Sequence, residues 1–149
     1  MRINGYKIPK KFYYNKEHQW VRISKKGVAK IGITDYAQKM LREITFIYMP
    51  EKGTSFNIGD VFCIIESIKA RIDIYVPISG KITEVNKELI EKPFIINEDP
   101  YSKGWIIKIK PSKWKEESKK LHAQKLYAEY IESLIHTDKD LLIHKWRQH

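Results

Sequence analysis

A single cysteine, Cys63, excludes an internal disulfide and any multi-cysteine metal site. No apolar run approaches the roughly 20 residues that a membrane helix needs. The opening stretch from Met1 to Lys10 is charged and lacks the apolar segment of a secretory signal, so a cytoplasmic location is expected. His18, His122, His136, His144 and His149 contain no i, i+4 pair of metal-ligand type, and no phosphate-cradling glycine loop is present. Catalysis by the chain itself is therefore not expected, and His18 is read as a structural histidine in a β segment. Acidic residues are scarce at the start: residues 1–30 hold nine Lys or Arg against Glu17 alone, whereas residues 31–110 hold eleven of each sign. Arg2 and Arg22 are the only arginines in the basic stretch, and no aromatic-glycine signature of an RNA-binding sheet accompanies them. Such a patch fits an acidic partner protein as well as it fits nucleic acid, because complementary charge mostly steers association.

What is present supports a folded domain. Hydrophobic residues make up 42% of the 149 and charged residues 31%, enough for one core with an appendage and too apolar for a disordered chain. Abundant Lys, Glu and Ile also suit a thermophile. Apolar and β-branched runs at Phe12-Tyr-Tyr14, Trp20-Val-Arg-Ile23 and Val28 to Ile33 predict strands, with a turn at Ser24 to Gly27. Thr34 or Asp35 is placed to cap a short helix over Tyr36 to Arg42, with Tyr36, Met40 and Leu41 inward. Strand character returns at Ile44 to Met49 and, after the turn-rich loop Asn97 to Gly104, at Trp105 to Lys110. From Ser112 glycine and proline vanish. Ser112 is read as an N-cap, and Trp114, Leu121, Leu126, Tyr127, Tyr130, Ile131, Leu134 and Ile135 as the inward stripe of a helix. Thr137 and Asp140 resemble a capping box for a last helix, Lys139 to Arg147, presenting Leu141, Leu142 and Trp146. The expected organisation is a mainly β domain over residues 1–111 with a basic N-terminal segment, and a helical extension over 112–149 packed on it.

Two features stand out within the β domain. Ile58-Gly-Asp60 before Val61 to Ile65 is echoed by Ile78-Ser-Gly80 before Lys81 to Val85, as a flattened barrel of two similar halves would produce. Between the echoes, Ile72, Ile74 and Val76 alternate with Arg71, Asp73 and Tyr75, the pattern of a strand buried on one face. Read as a hairpin, this stretch puts Lys69 at an exposed tip, with Cys63 as a small core residue.

His18-Gln-Trp-Val21, Gly32-Ile-Thr-Asp-Tyr-Ala-Gln38, Glu66-Ser-Ile-Lys-Ala70, Asp73, Pro77-Ile-Ser-Gly80, Glu84-Val-Asn86 and Asn97-Glu-Asp-Pro-Tyr101 with Gly104-Trp105 are seven motifs in one register. From Tyr13 to Ser112 they resemble the H protein of the glycine cleavage system. The resemblance implies a flattened barrel-sandwich lipoyl domain of two small sheets, with one short internal helix. It also implies lipoic acid joined by an amide to Lys69. Glu66, with Ser67, Ile68 and Ala70, then forms the site a lipoate-attaching enzyme recognises, Ile68 and Ala70 fixing the hairpin so that Lys69 points outward. In that family the arm takes an aminomethyl unit from a pyridoxal-phosphate glycine decarboxylase. A tetrahydrofolate-dependent aminomethyltransferase removes the unit, and dihydrolipoyl dehydrogenase reoxidises the arm. The carrier is a non-catalytic shuttle whose tether raises effective concentration at each partner.

Glu17, Gln19, Asp73 and Arg71 are the residues the resemblance sets beside the arm. Gln19 stands where the family usually has Glu, and Glu17 is expected on the same strand face as a substitute charge. Arg71 replaces a usually small residue and is expected to bring a positive charge near Lys69. These departures, with the long C-terminus, leave open an H-like lipoate-binding protein of another pathway, such as heterodisulfide-reductase-like sulfur oxidation. A basic adaptor or nucleic-acid-binding domain with unmodified Lys69 is the remaining alternative.

Overall fold

A computed structural model of the chain describes residues 1–136. A two-residue ribbon, β1 (Arg2–Ile3) and β2 (Tyr6–Lys7), turns through Asn4 and Gly5, both at positive φ. The meander β3 (Tyr13–Tyr14), β4 (Gln19–Ile23) and β5 (Ala29–Ile33) follows. Thr34 caps α1 (Asp35–Leu41), its hydroxyl accepting from the Ala37 amide at 3.2 Å, and Tyr36, Met40 and Leu41 face the core as expected. Next come β6 (Ile44–Tyr48), β7 (Ser55–Phe56), the hairpin β8 (Val61–Ser67) and β9 (Arg71–Tyr75), and β10 (Gly80–Val85). Two single turns, α2 (Glu88–Glu91) and α3 (Ile95–Glu98), flank Pro93 and lead to β11 (Ile107–Pro111). They add to the one internal helix expected, and α3 takes in Asn97 and Glu98, the first two residues of the predicted loop. Neither has a side-chain cap, so apolar anchors, Leu89 and Ile96, hold them.

The strands form a six-stranded antiparallel sheet, β3-β4-β5-β11-β10-β7, and a three-stranded one, β6-β8-β9. Ile31, Ile82 and Ile109 of the first share one core with Ile47, Ile65, Ile72 and Ile74 of the second. Each buried isoleucine contributes about 1.5–3 kcal/mol. The sheets stack as a flattened sandwich, and no strand pairing joins them into a closed barrel among the described residues. The two echoed segments enter different sheets: Ile58 precedes β8 and Ser79 precedes β10, and the Ile58 amide donates to Ser79 Oγ at 2.8 Å. Gly80 is required because a Cβ there would strike the Lys110 carbonyl oxygen.

The segment after Ser112 corrects the sequence reading. Ser112 caps nothing; α4 (Trp114–Glu117) starts after Lys113 without a side-chain cap, and a 3-10 turn at Ser118–Lys120 ends it. His122 then pairs in extended form with Tyr14, His122 N to Tyr14 O at 2.6 Å and Tyr14 N to His122 O at 2.8 Å, which interrupts any continuous helix. Helix α5 (Gln124–Ile135) carries the expected inward residues Tyr127 and Ile131, both fully buried, whereas Leu126, expected inward, is exposed. The Glu117 carboxylate, itself buried, accepts from Ser79 N at 2.7 Å and Ser79 Oγ at 2.6 Å, fastening α4 to the start of β10. The capping box at Thr137 and the last helix from Lys139 lie outside the described residues.

Candidate functional site

The hairpin forms where apolar alternation runs out. Ile65 faces Ile72 inward, while Ile64 pairs with Asp73 and Glu66 with Arg71 on the outer side. Ser67 closes the tip: its amide donates to Ala70 O at 2.8 Å, and its hydroxyl accepts from the Lys69 and Ala70 amides, each at 3.1 Å. The Ile68 amide donates to Glu43 O at 3.0 Å, anchoring the tip to the residue before β6.

Lys69 stands at the tip as read from the pattern but is half-buried there, while its neighbour Ile68 is 63% exposed. Ser67 draws the Lys69 and Ala70 amides inward, whereas Ile68 is held through its backbone alone. The fixing role expected of Ile68 therefore falls to the Ser67 hydroxyl, with Ala70 packing on the core edge.

Arg71 also differs from its expected role. Its Nη1 lies 2.9 Å from Glu66 Oε1, so its charge is paired on the spot. The Tyr48 hydroxyl donates to the same oxygen at 2.5 Å, and the guanidinium sits 4.9 Å from the Tyr48 ring centre. That bond to the carboxylate is the main cause of the raised Tyr48 pKa. Sequence reasoning missed Tyr48, because nothing local ties it to Glu66; only the β6–β8 register does.

Glu17 and Gln19 do not share a strand face. His18, at φ +66°, breaks the alternation just before β4, leaving Glu17 exposed in a turn and Gln19 buried. The Gln19 amide is taken: Oε1 accepts from Asn15 Nδ2 at 2.8 Å and Nε2 donates to Glu17 O at 2.8 Å. Asp73 is half-buried on the outer side of β9. Tyr75, two residues on, has its hydroxyl pKa raised by burial first and then by the Asp73 and Glu17 carboxylates. Tyr75, Glu17, Asn15 and Pro77 line a surface hollow of about 320 Å³. The structure thus brings Glu17 and Asp73 toward Tyr75, sends Arg71 to Glu66 and withdraws Gln19 from the surface.

His18 is structural, as expected, although it sits in a turn. Its Nδ1 lies 2.8 Å from the Tyr127 hydroxyl, which also meets Thr34 Oγ1 at 2.9 Å. Burial pushes the Cys63 thiol pKa up, consistent with a core residue. No helix of the described residues is long and apolar enough to cross a membrane.

With that geometry in place, the chain was compared with known proteins. A model of the Glycine cleavage H-protein family matches residues 12–134. The chain belongs to the glycine cleavage H-protein family. The probable glycine cleavage system H protein of Pyrococcus furiosus is 48% identical over 132 residues, spanning 89% of this chain and 98% of that one. The glycine cleavage system H protein of Carboxydothermus hydrogenoformans is 49% identical over 105 residues, 70% of this chain and 80% of that one. The crystal structure of a glycine cleavage system H protein from Mycobacterium marinum superposes with a TM-score of 0.74 at 30% identity, covering 83% of this chain and 98% of that one. The H-protein match extends past Ser112 and through most of α5. Several motifs that carried the resemblance are joints of the fold. Trp20 Nε1 donates to Pro100 O at 3.0 Å, and the Tyr101 hydroxyl donates to Lys7 O at 2.7 Å. Asn97 Nδ2 donates to Arg42 O at 2.7 Å while its Oδ1 accepts from Ile44 N at 2.9 Å.

Proposed function

We propose that the chain is the lipoyl carrier of a glycine cleavage system, with lipoate joined by an amide to Lys69. The observation that carries this reading is one lysine at a hydroxyl-clamped hairpin tip in a chain of H-protein family membership. The residues present suit an acyl group: Lys69 stands at the hairpin tip, only half-buried, and no ion pair to it occurs among the described residues. A lipoyl group on Lys69 supplies a dithiolane that carries the aminomethyl unit between glycine decarboxylase, aminomethyltransferase and dihydrolipoyl dehydrogenase. The chain's own part is presentation. Ser67 fixes the backbone at Lys69, so the arm's root stays in one place while its far end is free to move. Asp73, four residues on from Lys69 and on the outer side of β9, offers a carboxylate for a cationic cargo. Glu17 adds negative charge in the hollow it lines with Tyr75.

The departures that pointed to another pathway lose their force here. Arg71 is paired with Glu66, and Gln19 is buried at the start of β4 with its amide bonded to Asn15 and Glu17, so neither argues for a different cargo. The test uses Lys69→Arg, which keeps the charge but offers no amine that can form the amide. Wild-type protein from its own cells should carry a lipoyl mass increment and support glycine–bicarbonate exchange with glycine decarboxylase. The variant should fold, lack the increment and support no exchange. Exchange at the wild-type rate by Lys69→Arg would remove the assignment.

A further inference from the structure

The outer face of the three-stranded sheet holds an arrangement that closing the hairpin does not require. Phe46, Glu66 and Arg71 form one cross-strand row over β6, β8 and β9, and Tyr48 stands in the next row opposite Ile64. Tyr48 and Arg71 both bind Oε1 of Glu66, at 2.5 and 2.9 Å, and no described residue donates to Oε2. The Tyr48 ring is itself held: Phe46 lies 4.6 Å away between ring centres, and the Arg71 guanidinium covers it at 4.9 Å. A glutamate at a strand end ordinarily samples several rotamers. Here two donors and two aromatic rings confine it.

Stability does not account for this order. The Arg71 and Glu66 side chains are 55% and 32% exposed, and solvent-screened pairs of this kind contribute little. A fixed carboxylate with one open oxygen, three residues before Lys69, is instead suited to being read by another protein. Resting on the reading of Lys69 as the lipoylated lysine, we infer that Tyr48 and Arg71 are positioning residues for its modification. They hold Glu66 so that Oε2 accepts a hydrogen bond from the enzyme that acylates Lys69. In that step the Lys69 amine, after giving up a proton to solvent, attacks the carbonyl carbon of a lipoyl adenylate made from lipoate and ATP. The amide C–N bond forms, and the activating group leaves with the electron pair of the bond it breaks. Glu66, Tyr48 and Arg71 touch none of these atoms; they set how the hairpin enters the attaching enzyme.

The experiment measures initial rates of mass gain on the unmodified full-length chain with a lipoate–protein ligase, lipoate and ATP. Tyr48→Phe removes one oxygen from an exposed ring, and Arg71→Gln removes the paired charge. Each should lower kcat/KM about three- to tenfold, the size of one lost orienting hydrogen bond, through KM with kcat kept and melting temperature unchanged. Glu66→Ala should lose at least as much. Adding Tyr48→Phe to Glu66→Ala should cause no further loss, because the carboxylate it positions is gone. A full rate in Tyr48→Phe overturns the inference, and so does a Tyr48→Phe loss that persists undiminished beside Glu66→Ala. If Arg71→Gln fails to fold, Tyr48→Phe alone decides. A wild-type chain that gains no mass overturns the carrier reading along with the inference, whereas a modified wild type beside an unaffected Tyr48→Phe sinks the inference alone.

Discussion

Burial holds the His18 imidazole pKa down to about 3, against 6.5 for the free side chain, because an imidazolium there would lose its hydration inside the core. The unfolded chain therefore binds a proton that the folded chain refuses, between about pH 6.5 and pH 3. Stability rises with pH across that window and is lost as the pH falls through it, by at most about 1.4 kcal/mol per unit. From pH 7 to pH 5 the loss should be about 2 kcal/mol, measured by urea unfolding at each pH. His122, lowered by burial and then by Lys16, adds in the same direction. His18→Gln should flatten most of the slope, whatever it costs at pH 7; an unchanged slope would show that another group controls it. That His18 is structural was readable from its lone place beside a strand pattern. Its partner was not, since Tyr127 reads as one more apolar residue of a helical stripe.

At the level of elements, the hairpin was legible because its inner face alternates without error from Ile72 to Val76, and a period of two belongs to extended chain rather than to a helix. What the pattern could not supply was the contact across strands. Tyr48 meets Glu66 only through the β6–β8 register, which shifts between Ile44 and Phe46, so counting along the sequence does not find it. The Glu17–Gln19 expectation failed for a local reason, the left-handed backbone at His18, which the alternation rule cannot see. The helix expected from Ser112 failed because backbone pairing of His122 with Tyr14 outcompetes helical continuation. The hairpin tip itself depends on one hydroxyl. Ser67→Ala should lower stability by about 1 kcal/mol. Amide hydrogen exchange at Lys69 and Ala70 should quicken more than at Ile65, and equal protection before and after the change would show that the turn does not need the hydroxyl.

For the whole molecule, the deciding joint is α5 on the first meander. Tyr14 stacks on Tyr127 with ring centres 4.6 Å apart, and the Tyr127 hydroxyl serves both His18 and Thr34. Tyr127→Phe keeps the ring and should cost about 1–3 kcal/mol, because it takes the hydroxyl from two buried polar groups. Differential scanning calorimetry should show one transition at lower temperature; two separate transitions would mean that α5 melts as its own unit. The same joint bears on how the protein is made. Tyr127 leaves the ribosome 109 residues after His18, an interval of about 5–20 s at ordinary synthesis rates. For that time the emerging meander has strands and a turn but lacks the ring that roofs its interior. The finished sandwich is thus sealed by one of its late-made helices, and the nascent chain depends on remaining unaggregated until that helix arrives.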